Sequence, residues 1–462
     1  MKFLFLAWKH PVEPLGLLYI SAILKKDNHK TKIAVIGQDD LTKVVQDFKP
    51  NVVAGSVMTG GQTEFLRITN ELKQHHNFLT LMGGSHPTFH PQVLKEEGMD
   101  IVAQGECEEA IVEFANNYEQ GKDYTKIQNL WIKKDGKIYK NEIRNLNENL
   151  DTLPFPDRDV AYEHKIWKDE PIRHFIACRG CSYKCQYCFN SAIDKIYGGK
   201  GKWVRWRSVD NLIAEIKEVF QKYGGKFVYF QDDIFVMNKP WLKEFAEKYR
   251  KEINLPFHCH VRPNNIDENT ARLLSEAGCY SVHMALEAAD DYIRNVIIKR
   301  EMDKETVYKA SDLLHKYGIK IMLQNILGLP ESSLETDLET LKMNIKCKPL
   351  YAWCSIFQPC PGLPLTEYAI SRNLLEGDFD DIGPKFFETT VVKLENKKQI
   401  EYLQKWFAVA SAYPFIYKTG LLKLILNMPD NKHIKNLYKF IYNKFRNHKD
   451  NQLYGIKLSS AA

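Results

Sequence analysis

Residues 177–190 read A-C-R-G-C-S-Y-K-C-Q-Y-C-F-N and hold four of the chain's ten cysteines. Cys181, Cys185 and Cys188 are spaced C-x3-C-x2-C, short enough for one loop to wrap a single inorganic centre. Thiolates are the usual ligands of iron–sulfur clusters. Three of them leave one iron of a four-iron cluster without a protein ligand, open to a small molecule. A structural zinc site is a competing reading. It needs a fourth ligand, which Cys178 could supply. A disulfide pair is the other alternative.

The remaining chemistry-bearing residues stand at the ends of apolar runs: Gln231, Asp232 and Asp233; His258, His260 and Arg262; Glu287; and Cys360. These runs are the strands of a regular pattern. Strands at 174–178, 226–230, 257–261, 280–286, 320–327 and 351–357 alternate with helices at 207–223, 241–252, 268–277, 304–317 and 334–346. Six strand–helix units fit a partial (β/α)6 barrel, whose active-site residues gather at the strand C-termini. The cluster loop and the polar strand ends then share one mouth.

The first 140 residues also alternate. Strands at 2–7, 32–36, 51–56, 78–82 and 100–102 with intervening helices predict a doubly wound parallel sheet. Ligands of such sheets sit beyond the carboxyl ends of the strands. Three of these ends carry loops rich in Gly and Ser, at 55–61, 83–88 and 105–108, which let backbone approach a large ligand. A hairpin follows around Asp135-Gly136. The string D-T-L-P-F-P-D-R at 151–158 predicts an extended connector.

The totals agree with a multidomain enzyme. The chain has 462 residues, 44% of them hydrophobic, and a formal charge of only +6. That charge alone does not argue for nucleic acid. Ten cysteines without a recognisable signal peptide point to a reducing cytoplasm. No apolar run is long enough to span a bilayer.

The cysteine loop, with the aromatic Tyr187 just before its last cysteine, resembles the cluster loop of radical S-adenosylmethionine (SAM) enzymes. There SAM's amino and carboxylate groups chelate the open iron. Residues 1–140 resemble the cobalamin-binding domain that precedes the radical SAM barrel in one large subfamily. The matching pieces are P-L-G-L-L-Y at 14–19, G-G-S-H-P-T at 83–88 and G-E-C-E at 105–108. The D-x-H-x-x-G signature of histidine-ligated cobalt is absent, so His86 need not be a cobalt ligand. A cofactor-free domain used for packing is the alternative. The expected architecture is α/β: a Rossmann-like cobalamin domain (1–140), a linker (141–169), a partial (β/α)6 radical SAM barrel (170–375) and a helical C-terminal region (376–462).

The resemblance implies roles by motif. Cys181, Cys185 and Cys188 would hold a [4Fe-4S] cluster. Tyr187 would pack by the adenine, and Gln231 and Asp232 would meet SAM's amino group. Glu287 would face the ribose, and Arg300 would pair with the SAM carboxylate. Asn325 and Gly328, in the fifth-strand motif 325–331, would lie near the adenine. Ser56, Thr59, Gly60, Gly83, Gly84, His86, Gly105 and Glu106 would line the cobalamin site. A structural hydrogen-bond network is the plain alternative for Asp232, Asp233 and Glu287, and a surface ion pair for Arg300. Cys178 reads first as a bystander, and Cys360 as a packed free cysteine. His258, His260 and Arg262 are expected at the mouth as substrate contacts.

The implied reaction is methyl transfer to an unreactive carbon. One SAM methylates cob(I)alamin; a second yields a 5′-deoxyadenosyl radical that abstracts hydrogen, and the substrate radical takes the methyl. Cyclisation, C–C coupling or rearrangement is the first alternative, and a non-catalytic cofactor-binding protein the second. The implied partners are a small-molecule, lipid or peptide substrate and an electron donor such as flavodoxin or ferredoxin. Helices at 396–412, 413–428 and 432–445 are expected near the C-terminus. The last two mix lysines with aromatics. They read as an amphipathic cap on the barrel or as a peripheral membrane contact. The last six residues are expected to be disordered.

Overall fold

The computed structural model describes residues 1–383 and 388–458, so 384–387 and 459–462 of the expected C-terminal region lie outside the described residues. Two sheets organise them. The first is built on β1 (Lys2–Trp8), β2 (Lys30–Ile36), β3 (Val52–Ser56), β4 (Leu79–Gly83) and β5 (Ile101–Ala103). Their order is β2-β1-β3-β4-β5, all parallel. The order reverses between β1 and β3, the place where such sheets bind ligands. The hairpin β6 (Leu130–Lys134) and β7 (Lys137–Lys140) extends the β5 edge antiparallel. Asp135 and Gly136 both take positive φ, 50° and 72°, as a two-residue hairpin turn requires. The strands are near-continuous runs of Val, Ile, Leu and Phe because helices cover both faces.

Residues 153–157 run without helix or strand, as the prolines require, but the stretch after them does not. Arg158–Ala161 and Lys165–Lys168 are short helices, and Val160, Tyr162 and Trp167 are buried in the core of the first domain. Arg158 is wholly buried. It bonds Glu215 at 2.7 Å and lies 3.8 Å from Glu13. The prolines fix where the chain enters, but the apolar residues after them dictate that it packs.

The second sheet comprises β8 (Ile172–Phe175), β9 (Phe227–Phe230), β10 (Phe257–Val261), β11 (Cys279–Glu287), β12 (Lys320–Leu327) and β13 (Tyr351–Ile356). They lie in chain order and all pair parallel, which is the open six-stranded barrel expected. A two-residue ribbon, Cys178–Arg179 against Arg205–Trp206, frames the cysteine loop and was not expected.

The C-terminal region departs from expectation in two ways. The expected helix at 413–428 is split into Phe415–Lys418 and Leu421–Leu426, because Gly420 turns left-handed (φ 80°). The last helix, Lys432–Tyr454, runs nine residues past its expected end to a left-handed Gly455. It tucks under the barrel, where Tyr454 packs on Phe227, Tyr229 and His258 with ring centres 5.5–6.0 Å apart. Among the described residues, no helix is long and apolar enough to cross a membrane.

Candidate active site

The cysteine loop follows β8 at the carboxyl end of the barrel. Cys181 and Cys185 are buried and Cys188 half-buried, and all three are free thiols. Burial raises the Cys181 thiol and pushes Cys188 up to about 12, so these protons must leave as a metal binds. Two guanidinium groups face the loop. Arg262 Nη1 is 3.1 Å from Cys185 Sγ, and Arg300 Nη1 is 3.6 Å from it. Arg262 also lies over the Tyr183 ring at 3.7 Å and donates to the Arg300 carbonyl. The C-x3-C-x2-C loop thus sits in a cationic frame built from β10 and the loop after β11.

Beside it, Tyr187 donates to Glu287 Oε1 at 2.8 Å and accepts from Arg300 at 3.0 Å. Glu287 ends β11 with φ 70°, an uncommon conformation for a side chain-bearing residue. Its carboxyl is raised by burial against the opposing pull of Arg300. Glu287 Oε2 and Arg300 Nε are buried without a hydrogen-bond partner. Such orphans fit a zwitterionic amino-acid ligand, since buried polar groups are otherwise paired. Gln231 stands half-buried at the end of β9.

Other expected contacts lie elsewhere. Asp232 Oδ1 accepts the backbone N–H of Ala177 at 2.9 Å and that of Cys178, and burial beside this carboxylate raises the Cys178 thiol. Asp232 therefore braces the entrance of the cysteine loop, and Cys178 is held by it as a neutral thiol. Asn325 faces the outer helix layer: its amide bonds the carbonyls of Leu323 and Trp353 and the side chain of Asn344. At Gly328 a Cβ would lie 2.8 Å from Leu394, so its missing side chain admits Leu394 and not a ligand. Arg262 reaches the mouth as expected. His258 and His260 do not; they lie deeper in the barrel with His283 and Tyr229.

Asp337, on the helix after β12, is buried with its Oδ2 accepting from the Gly328 N–H at 3.0 Å. Burial pushes its carboxyl up to about 8. An unfolded Asp titrates near about 3.9. Below that pH both states are protonated and no penalty exists. Between about 4 and 8 the unfolded chain loses its proton while the folded one keeps it, so stability falls as pH rises. Asp337→Asn should remove a slope of at most about 1.4 kcal/mol per pH unit. The melting temperature of the variant minus that of the parent should climb between pH 5 and 8; a difference flat across that range would refute the assignment.

In the first domain a cavity of about 290 Å³ opens at the carboxyl ends of β1, β3, β4 and β5. Ser56, Gly83, Gly84, Gly105 and Glu106 line it, and Ala54, Gly55 and Ala103 add little side-chain bulk where backbone can approach a ligand. That suits a bulky, flat-sided ligand such as a corrinoid. Arg179, from the ribbon before the cysteine loop, forms part of the wall and lies over Tyr19 at 5.4 Å. The Glu106 carboxylate is not free for a ligand: Arg179 holds it at 3.0 Å and Arg205 also pairs with it. Arg179 bonds Glu108 as well, at 2.7 Å. At Gly105 (φ 68°) any Cβ would collide with the Tyr197 hydroxyl. The G-E-C-E loop thus serves both as cavity wall and as the latch between domains. Arg179, Arg205 and Tyr197 were missed because their partners lie about 70–100 residues away.

Thr59, Gly60 and His86 are not in the cavity wall. Thr59 Oγ1 meets His86 Nδ1 at 3.1 Å, and burial lowers His86 to about 4. A Cβ on Gly60 would lie 2.6 Å from the Gly383 carbonyl, and Gln62 bonds Phe379 and Asp380 at 3.2 Å. The segment 379–383 covers this corner. Cys360, after β13, lies near Thr59 and so stands at the boundary of the two domains.

Residues 175–343 match the Radical SAM superfamily. Residues 1–115 match the B12 binding domain. The chain is a cobalamin-binding radical SAM enzyme. Its cofactors are a [4Fe-4S] cluster, SAM and cobalamin. An uncharacterized methyltransferase of Pyrococcus horikoshii is 29% identical over 78% of this chain and 79% of its own. The anaerobic magnesium-protoporphyrin IX monomethyl ester cyclase of Rubrivivax gelatinosus is 24% identical over 75% and 64%. The cobalamin-dependent SAM radical enzyme OxsB, solved with aqua-cobalamin and SAM, superposes with a TM-score of 0.69, 14% identity, and 97% and 71% coverage. That last likeness is one of fold.

Proposed function

We propose that this enzyme methylates an unactivated carbon, with Cys181, Cys185 and Cys188 as the cluster ligands. The reading is carried by one observation: Arg179 walls the corrinoid cavity two residues before the first cluster cysteine. The two cofactor sites are therefore joined through a single short ribbon. When bound, the cluster and SAM supply a 5′-deoxyadenosyl radical and cobalamin a methyl group. The chain's part is positioning. Arg262 and Arg300 hold Cys185; Glu287, Arg300, Tyr187 and Gln231 receive SAM; Ser56, Gly83, Gly84 and Gly105 admit the corrinoid. A flavodoxin- or ferredoxin-type donor supplies electrons, and the enzyme works in the cytoplasm.

The similarity to a cyclase favours a second reading, a radical reaction without methyl transfer. Anaerobic incubation with SAM, reductant and hydroxocobalamin, after unbound cobalamin is removed, separates the two. Retained methylcobalamin together with 5′-deoxyadenosine supports methylation. Deoxyadenosine without cobalamin retention leaves the second reading.

The substrate is met at an anionic lipid surface. Residues 413–446 carry seven Lys and Arg against Asp430 alone, a formal +6 equal to that of the whole chain. Seven of the thirteen exposed large apolar side chains among the described residues fall at 413–440, including Phe415, Leu424 and Phe440. Basic charge beside apolar side chains suits acidic headgroups over acyl chains. The full-length enzyme should co-sediment with phosphatidylglycerol vesicles and not with phosphatidylcholine vesicles, and Phe440→Asp with Leu424→Asp should weaken this at least about tenfold. Equal recovery with both lipids, or none with either, would leave these helices as a cap alone.

A further inference from the structure

Beneath the cofactor mouth the barrel interior holds a layer of imidazoles that the proposed reaction does not use. His258 and His260 come from β10 and His283 from β11. Their nitrogen ligand atoms lie within 4.8 Å of one another. Ring centres are 4.7 Å apart for His258–His283, 4.8 Å for His260–His283 and 6.2 Å for His258–His260. Three imidazoles on one tetrahedral ion, at bonds of about 2.0–2.1 Å, would place their centres roughly 5.3 Å apart. The layer already has that spacing.

The hydrogen bonds point the same way. Two of the rings have an outer partner: Ser281 Oγ at 2.7 Å from His258 Nδ1, and Met322 Sδ for His283 Nε2. Metal-binding histidines are typically oriented by such a bond from the other nitrogen. If these two neutral rings spend their one N–H outward, their other nitrogens turn lone pairs inward, beside His260 Nε2. The Tyr229 hydroxyl lies 2.9 Å from His260 Nε2 and 3.0 Å from His283 Nδ1, and it has one proton to give. His258 Nε2 is wholly buried with no hydrogen-bond partner. The centre is rich in lone pairs and short of protons, which a cation corrects.

We propose that His258, His260 and His283 bind a divalent transition ion of the zinc class, with the Tyr229 oxygen in the fourth position. Three nitrogen ligands suit zinc over the oxygen-seeking calcium and magnesium. Access is from below, through a cavity of about 250 Å³ walled by Tyr229, His283, Met322 and Asp450. The ion would pin β10 to β11 two residues below Arg262, and so steady the guanidinium that touches Cys185.

The test is metal analysis with zinc-edge X-ray absorption on full-length, cluster-reconstituted enzyme, after one equivalent of zinc chloride and gel filtration. The expected result is about one zinc per chain, with a nitrogen and oxygen first shell at about 2.0–2.1 Å and imidazole scattering. His258→Gln and His283→Gln should each lose the zinc while keeping their iron. A sulfur shell near about 2.3 Å would place the zinc on cysteines and overturn the proposal. So would the absence of retained zinc, or zinc retained by both variants. If the variants do not fold, the absorption spectrum of the unaltered enzyme decides alone.

Discussion

Replacing Cys181, Cys185 and Cys188 together by alanine should abolish both the brown chromophore and the reductive cleavage of SAM. No other cysteines are placed to take over. The Cys178 thiol is raised by burial beside Asp232, and Cys360 lies near Thr59 at the domain boundary. Arg262 and Arg300 would then face a loop without thiolates, which removes the reason for two buried cations there. The expected level of 5′-deoxyadenosine is that of a cluster-free control, measured by mass after anaerobic reduction with SAM. The protein itself should remain folded, because the barrel core rests on β8 to β13 and their helices. A variant that kept its colour or its cleavage would remove the cluster from this loop.

Asp232→Ala is expected to have the second largest effect, through structure and not through contact with SAM. It strands two buried backbone N–H groups, those of Ala177 and Cys178. Leaving a buried donor unsatisfied costs about 1–3 kcal/mol each, so the pair is a large fraction of a typical domain's stability. The loop should open at its entrance. Iron retained after gel filtration should fall well below that of the parent, with a lower melting temperature. Asp232→Asn keeps an acceptor oxygen and should restore most of both. Normal iron content in the alanine variant would show that Asp232 braces nothing.

What the sequence made legible follows from how local each signal is. The bounds of β10 and β12 can be read from their apolar runs without error, because a buried parallel strand needs little beyond such a run. The three cysteines declare themselves by spacing. Glu287 and Arg300 lie beside the cysteine loop because strand ends and the loops after them must face the mouth. Asn325 was misjudged because alternate residues of a strand face opposite ways, and only the structure fixes which face the helix Leu334–Cys347 covers. Glu106 lines the cavity as expected, but its partners Arg179 and Arg205 come from the other domain, and no local pattern announces them. The stretch after Pro156 was taken for a connector because prolines dominate its reading, whereas Tyr162 and Trp167 decide its fate. Gly420 was visible as a break, but a run of apolar residues on both sides disguised it as one helix.

The helix that ends at Tyr454 has a consequence for the order of biosynthesis. Tyr454 packs on residues of β9 and β10 from beneath, and Gly455 lies against Tyr280 at the start of β11. More than 150 residues are translated between those strands and this closing turn. Until then Phe227, Tyr229 and His258 lack the ring that covers them from below. Cluster loading that required a closed barrel would have to wait until this turn has been made and has packed.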